Sequence, residues 1–157
     1  MRPFLPLTFA IALAGCGYRA GTYRFIGAEF PAAHARAGCL DIGVGGHQSS
    51  RDDTPVVAYA LGNRCDMSAE VDLSAVRAWG IVASGERIPL IPRDPRGEIG
   101  RREIAATWAG RAAIEYLPAP RGSRPIFVEV CVDLAGIVPE LTSFQHCFDP
   151  RVSGGPS

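Results

Sequence analysis

The chain has 157 residues, 47% of them hydrophobic, and its 16 acidic residues balance 16 basic ones, every one an arginine. That balance excludes the strongly basic surface selected by nucleic acid or an anionic membrane, and the apolar fraction excludes a disordered chain. With 18 Gly and 13 Pro punctuating it, long helices have little room, so short strands joined by turns are expected.

From the first residue, Arg2 and the amino terminus form a short positive region, and Pro3 to Ala14 is apolar apart from Thr8. About a dozen apolar residues suit the central part of a secretory signal and are too few for a spanning helix. The stretch ends in Leu13-Ala14-Gly15-Cys16, which resembles the lipobox of bacterial lipoproteins. The resemblance implies cleavage before Cys16, a diacylglycerol thioether on its sulfur, and acylation of the new amine. Cys16 would then hold the protein to membrane lipid in the cell envelope. Each buried acyl CH₂ contributes ~0.8 kcal/mol, so several chains hold firmly where one holds marginally. Gly17, rather than aspartate, is what such lipoproteins show when sorted to the outer membrane. The opening Cys16-Gly17-Tyr18-Arg19 also resembles the start of the lipopolysaccharide-assembly lipoproteins, which makes an assembly subunit the alternative reading.

This division gives a signal peptide over 1–15, a lipidated tether over 16–36, a domain over 37–149 and a disordered tail over 150–157. About 140 mature residues make one domain with a real core. Cys16 accounts for the odd one of five cysteines, and Cys39, Cys65, Cys131 and Cys147 are expected to form two disulfides. Cys-x-x-Cys is missing, so a zinc ribbon or thioredoxin-type site has no footing.

Within the tether, Thr22 to Ile26 reads as a short edge strand. Leu40, Ile42 and Val44 alternate with Asp41, Gly43 and Gly45, the period of a half-buried strand over 39–45. Gly46 to Asp53 reads as a loop and Pro55 to Leu61 as a buried strand. If these two strands form a hairpin, Cys39 and Cys65 end up opposite one another. Val71 to Val82 forms a strand whose parity slips near Ser74-Ala75, as a bulge or a change of sheet requires. Arg87 to Ile91 is a strand confined to an edge by Pro89 and Pro92. Ile104, Trp108 and Ala112 recur at helical spacing, but Gly110 and the run Ala113 to Leu117 favour two strands turning at Ala109-Gly110. Ile126, Val128, Val130 and Val132 alternate through a strand over 125–134. Pro139-Glu140 then reverses the chain so that Phe144 to Phe148 runs back beside it, with Cys131 facing Cys147. The cysteines share parity with Asp41, Glu129 and Asp133 and are expected on the polar face. The sum is an all-β domain, an immunoglobulin-like β-sandwich of seven to eight strands.

Chemistry is sparse. His47, Ser49, Ser50, Asp52 and Asp53 bring triad residue types into one loop, but triads are assembled in space by a scaffold, and no nucleophile elbow is present. Gly43-Val44-Gly45-Gly46 lacks the lysine and helix of a phosphate cradle. Cys131, Asp133 and His146 would make a thiol nucleophile, acid and base, which a disulfide at Cys131 removes. His34, His47 and His146 show no paired metal-ligand spacing, and Glu70, Asp72, Asp94 and Glu98 match no calcium loop. No cofactor, metal or catalytic residue is expected. The reading is a non-catalytic binding or structural module presented to an envelope protein or glycan. A pocket gathering two or more of His47, His146, Glu115, Glu129 and Asp133 would favour an envelope enzyme instead.

Overall fold

The structure is a computed structural model, and it describes residues 33–94, 99–119, 122 and 124–152. The signal stretch, Cys16, the Thr22 to Ile26 segment and the last five residues lie outside the described residues.

The described chain is all-β, with ten strands and one 3-10 turn. The strands are β1 (His34–Ala37), β2 (Leu40–Gln48), β3 (Pro55–Asn63), β4 (Ala69–Asp72), β5 (Arg77–Val82), β6 (Arg87–Pro92), β7 (Arg101–Ile104), β8 (Ala109–Pro118), β9 (Phe127–Asp133) and β10 (Gln145–Phe148). Eight form one antiparallel sheet in the order β1-β2-β3-β8-β6-β5-β9-β10, and β4 pairs with β7 in a second, two-stranded sheet. The long β8 joins the halves: its Ala109 to Glu115 pairs with β3 and its Tyr116 to Pro118 with β6. The large sheet curls until β10 approaches β2, a sandwich-like frame around one core. β1 begins at His34, inside the segment assigned to the tether.

Leu40, Ile42 and Val44 of β2 face that core with Val57, Tyr59 and Leu61 of β3, Ile114 and Tyr116 of β8, and Val130 and Val132 of β9. Below them the turn after β9 packs Leu134, Ile137, Val138 and Leu141 inward, with Gly136 at φ 86. β2 is buried on both faces, and Asp41 is fully enclosed. Its carboxylate accepts from Arg36 at 3.1 Å and from Arg64 at 2.7 Å, which satisfies a charge that burial alone would penalise heavily. Asn63 is fully buried as well. Its amide donates to the carbonyls of Met67 (2.8 Å) and Ile104 (2.9 Å) and its oxygen accepts from the Cys65 N–H (2.9 Å), tying three segments together.

One open alternative is resolved, and several expectations need correction. The parity slip at Ser74-Ala75 is a change of sheet: β4 leaves with β7, a 3-10 turn over Leu73–Ala75 intervenes, and β5 enters the main sheet. Gly46 to Gln48 belong to β2, and the turn is confined to Ser49 to Thr54, closed by the Ser49 N–H on the Thr54 carbonyl at 2.8 Å. Strand β6 is interior in the sheet order despite its prolines. The β5 ladder ends at Ala78 opposite Leu90, so Pro92 has no β5 carbonyl to reach, while Pro89 offers its carbonyl to the Ala119 N–H at 2.9 Å. The turn between β7 and β8 falls at Ala105 to Trp108, with Thr107 at φ 59, so Ala109 and Gly110 are already in β8. In β9 a register shift opposite Ile81/Val82 turns Phe127 inward (6% exposed) and Ile126 outward (77% exposed), reversing the expected parity there.

Candidate functional site

The cysteines sit where cross-strand pairing places them. Cys39 and Cys65, with Cα atoms 5.4 Å apart, are bonded just beyond the last β2–β3 pair, Leu40 opposite Asn63. Cys131 and Cys147 are directly opposed in the β9–β10 ladder and are also bonded. Cys131 lies on the outer face with Glu129 and Asp133, as parity requires, yet it is buried, flanked across the ladder by Trp79 and Cys147. The Trp79 indole N–H has no hydrogen-bond partner, and Arg87 lies 5.9 Å over its ring.

The disulfide settles two candidates chemically. Glu129, Cys131 and Cys147 bring ligand-type atoms within 4.8 Å of one another, but bonded sulfurs offer no thiolate to a metal. The same bond leaves Cys131 without the nucleophile that Asp133 and His146 would serve, and Asp133 is held by Arg77 at 2.7 Å. His146 shares the inner side of β10 with Phe148, their rings 6.3 Å apart, and partial burial lowers its pKa. Thr54 donates to Asp52 at 2.8 Å, and that bond leads the causes that hold the Asp52 carboxyl below its usual range. These are the contacts of a tight turn.

Among the described residues, two cavities of about 580 Å³ each bear on the chemistry. The first runs along the outer side of β8, lined by Arg111, Ala113 and Glu115, and is walled by Arg93, Asp94, Ile99 and Arg102, with Arg51 from the β2–β3 turn. Within it Arg93 donates to Glu115 at 3.0 Å and lies 3.6 Å from Asp52, and Asp94 accepts the Ile99 N–H at 2.9 Å. The second has an apolar floor of Pro55, Leu117, Pro118, Pro125 and Phe127, with Arg124 and Arg151 on its rim. Arg151 donates to Asp149 at 2.9 and 2.8 Å, and this pairing holds the Asp149 carboxyl down at about 2.

Of His47, His146, Glu115, Glu129 and Asp133, only Glu115 lines either cavity. The arginine cluster was not legible from the sequence, because its members come from the β2–β3 turn, the exit of β6, β7 and β8, and form no basic run. Only the sheet order brings them together.

No family model matches the chain, and no curated protein does. Among solved structures the chain is similar to a "putative lipoprotein (ycdA)" from Bacillus subtilis, at 13% identity and a TM-score of 0.46. The match covers 78% of this chain and 39% of that one, and likeness at this level defines no family.

Proposed function

We propose that this is a lipid-anchored protein of the cell envelope, acylated on Cys16, whose β domain is a non-catalytic binding or structural module. The observation that carries the reading is the fate of the cysteines. Cys39, Cys65, Cys131 and Cys147 are all engaged in two disulfides, so the odd cysteine is the one that ends the apolar stretch, Cys16. Disulfides persist in oxidising compartments outside the cytosol, the setting to which a lipobox would deliver the chain. Support for a non-catalytic role comes from the cavities, neither of which gathers two of His47, His146, Glu115, Glu129 and Asp133. Gly17 favours the outer membrane as the destination, and the finer reading of the sandwich-like frame is an immunoglobulin-like domain offering its loops to an envelope protein or glycan.

Mass spectrometry of the membrane fraction tests the anchor. The mature chain should begin at an acylated Cys16, and Cys16→Ser should leave it uncleaved or release it from lipid. A mature protein with an unmodified Cys16 would sink the reading.

A further inference from the structure

We propose that the pole of the domain carrying Trp108 and Met67 docks on a lipid surface, the neutral interfacial layer of the membrane that holds Cys16. The inference rests on the lipid-anchor reading and adds a second, apolar contact between the domain and that membrane.

Exposed apolar side chains that stand singly are ordinary; here two share one support. Trp108, 61% exposed in the β7–β8 turn, and Met67, 72% exposed in the turn after β3, both rest on the buried Asn63. The Asn63 N–H donates to the Trp108 carbonyl at 2.7 Å, and its side-chain amide donates to the Met67 carbonyl at 2.8 Å. The Cys39–Cys65 bond fixes the same end of the sheet. Thr107, a β-branched residue at φ 59, turns the chain just before Trp108, a conformation that persists only where its surroundings hold it. The backbone favours lipid as the occupant. A turn that enters the edge of a bilayer must satisfy its own polar groups, because acyl chains offer no partners. Here the Thr107 N–H donates to the Cys65 carbonyl and the Trp108 N–H to the Ala105 carbonyl, each at 3.1 Å. Both Trp108 backbone groups and the Met67 carbonyl are thus paired inside the protein. An indole ring, apolar with one donor, settles at the boundary between acyl chains and headgroups. Charge plays no part: Arg36 and Arg64 are held by Asp41, while Asp66 beside Met67 and Glu103 beside Ile104 are exposed acids. Among the described residues the pole therefore has no positive surplus to draw anionic lipid. Reach is sufficient. The described chain begins at Ala33, whose carbonyl accepts from the Val44 N–H. Val44 lies four residues along β2 from Leu40 at the pole, about 13 Å at 3.3 Å per residue. Sixteen residues, 17–32, separate Cys16 from Ala33, and their greatest span of roughly 53–58 Å exceeds that distance several times over. Anchoring keeps the local concentration of lipid high, so a contact too weak to recruit a free domain still seats a tethered one.

The test is tryptophan fluorescence of the full chain as isolated from the membrane fraction, its Cys16 checked by mass spectrometry, in phosphatidylcholine vesicles with plain or brominated acyl chains. The chain has two tryptophans, so Trp79→Phe leaves Trp108 as the reporter. Its emission should lie to the blue of a water-exposed indole and be quenched by the brominated chains, equally at low and high salt. Met67→Asp in that background should return the emission to the red and remove most of the quenching. If Trp79→Phe does not fold, the difference between the parent chain and Trp108→Phe reads the same signal. Red, unquenched Trp108 emission with Cys16 acylated overturns the docking, leaves the anchor standing and assigns the pole to a protein or glycan. A blue shift without quenching places a second copy over the pole and also overturns the proposal. Quenching that is lost at high salt, or unchanged by Met67→Asp, overturns the apolar pair. Quenching in a protein whose Cys16 is unmodified keeps the docking surface and removes the anchor, whereas an unmodified and unquenched protein removes both.

Discussion

Two tyrosine hydroxyls meet inside an otherwise apolar core. Tyr59 and Tyr116 are each 1% exposed, and their oxygens lie 2.8 Å apart. A buried hydroxyl left without a partner costs about 1–3 kcal/mol, so each ring can be buried because the other satisfies it. Burial raises the pKa of both, of Tyr59 well above the ordinary 10.0, with the neighbouring Tyr116 adding to it. A phenol whose folded pKa is raised contributes its full stability below its unfolded value and loses it as pH rises through the folded one. Stability should therefore be insensitive to these groups below about pH 10 and fall above it, with their tyrosinate absorbance appearing only as the protein unfolds. Tyr59→Phe or Tyr116→Phe alone should cost about 1–2 kcal/mol by denaturant titration, and the double variant less than the sum. Tyrosinate formation by both rings in the folded state would refute this account. The pair was not legible in the sequence, because residues 57 apart meet only once the β3–β8 register is known. Asp41 misled for a related reason: alternation marks it as a polar position, but the arginines that permit its burial, Arg36 and Arg64, come from outside its strand.

At the level of the strand, legibility followed the length of the uninterrupted alternation. β2 and the Val130 and Val132 half of β9 were readable because one face of each is apolar over successive turns of the pleat. The other end of β9 was not, because a register shift flips parity without leaving a mark in residue type. Glycines record a second hidden constraint. Gly46 in β2 and Gly80 in β5 each lie beneath a phenylalanine ring, Phe148 and Phe127 respectively, and a Cβ at either would overlap that ring. At both places a ring packs directly onto bare backbone, an approach that a side chain would block. Gly80→Ala should cost about 1–3 kcal/mol by overpacking, whereas Gly110→Ala, which meets open space within β8, should be neutral or slightly stabilising. Equal midpoints for the two variants in urea would show that the ring over Gly80 moves aside without cost.

Over the whole molecule, the two disulfides act at different places on one curled sheet, and their removal should be distinguishable. Cys39–Cys65 clasps the end of β2 and β3 where Asn63 also holds the β7–β8 turn. Cys131–Cys147 fastens the terminal strand β10 to β9, and β10 in turn carries Phe148 across to Gly46 near the opposite end of β2. The bonds span 26 and 16 residues, closures that contribute about 3 kcal/mol each in the loop-entropy model, a large part of the ~5–15 kcal/mol available to a domain. Both losses should lower the unfolding midpoint. Only the second should open the seam, because β10 has four paired residues and little else to hold it once the bond is gone. Hydrogen exchange reads the difference: in the Cys131→Ala, Cys147→Ala variant, amides over Gly45 to Gln48 of β2 should lose protection before the core does. In the Cys39→Ala, Cys65→Ala variant the early loss should appear instead around residues 64–68 and the β7–β8 turn. Uniform exchange in both variants, rising only with global unfolding, would mean that the sheet behaves as one cooperative unit and that Phe148 over Gly46 holds the seam without the bond.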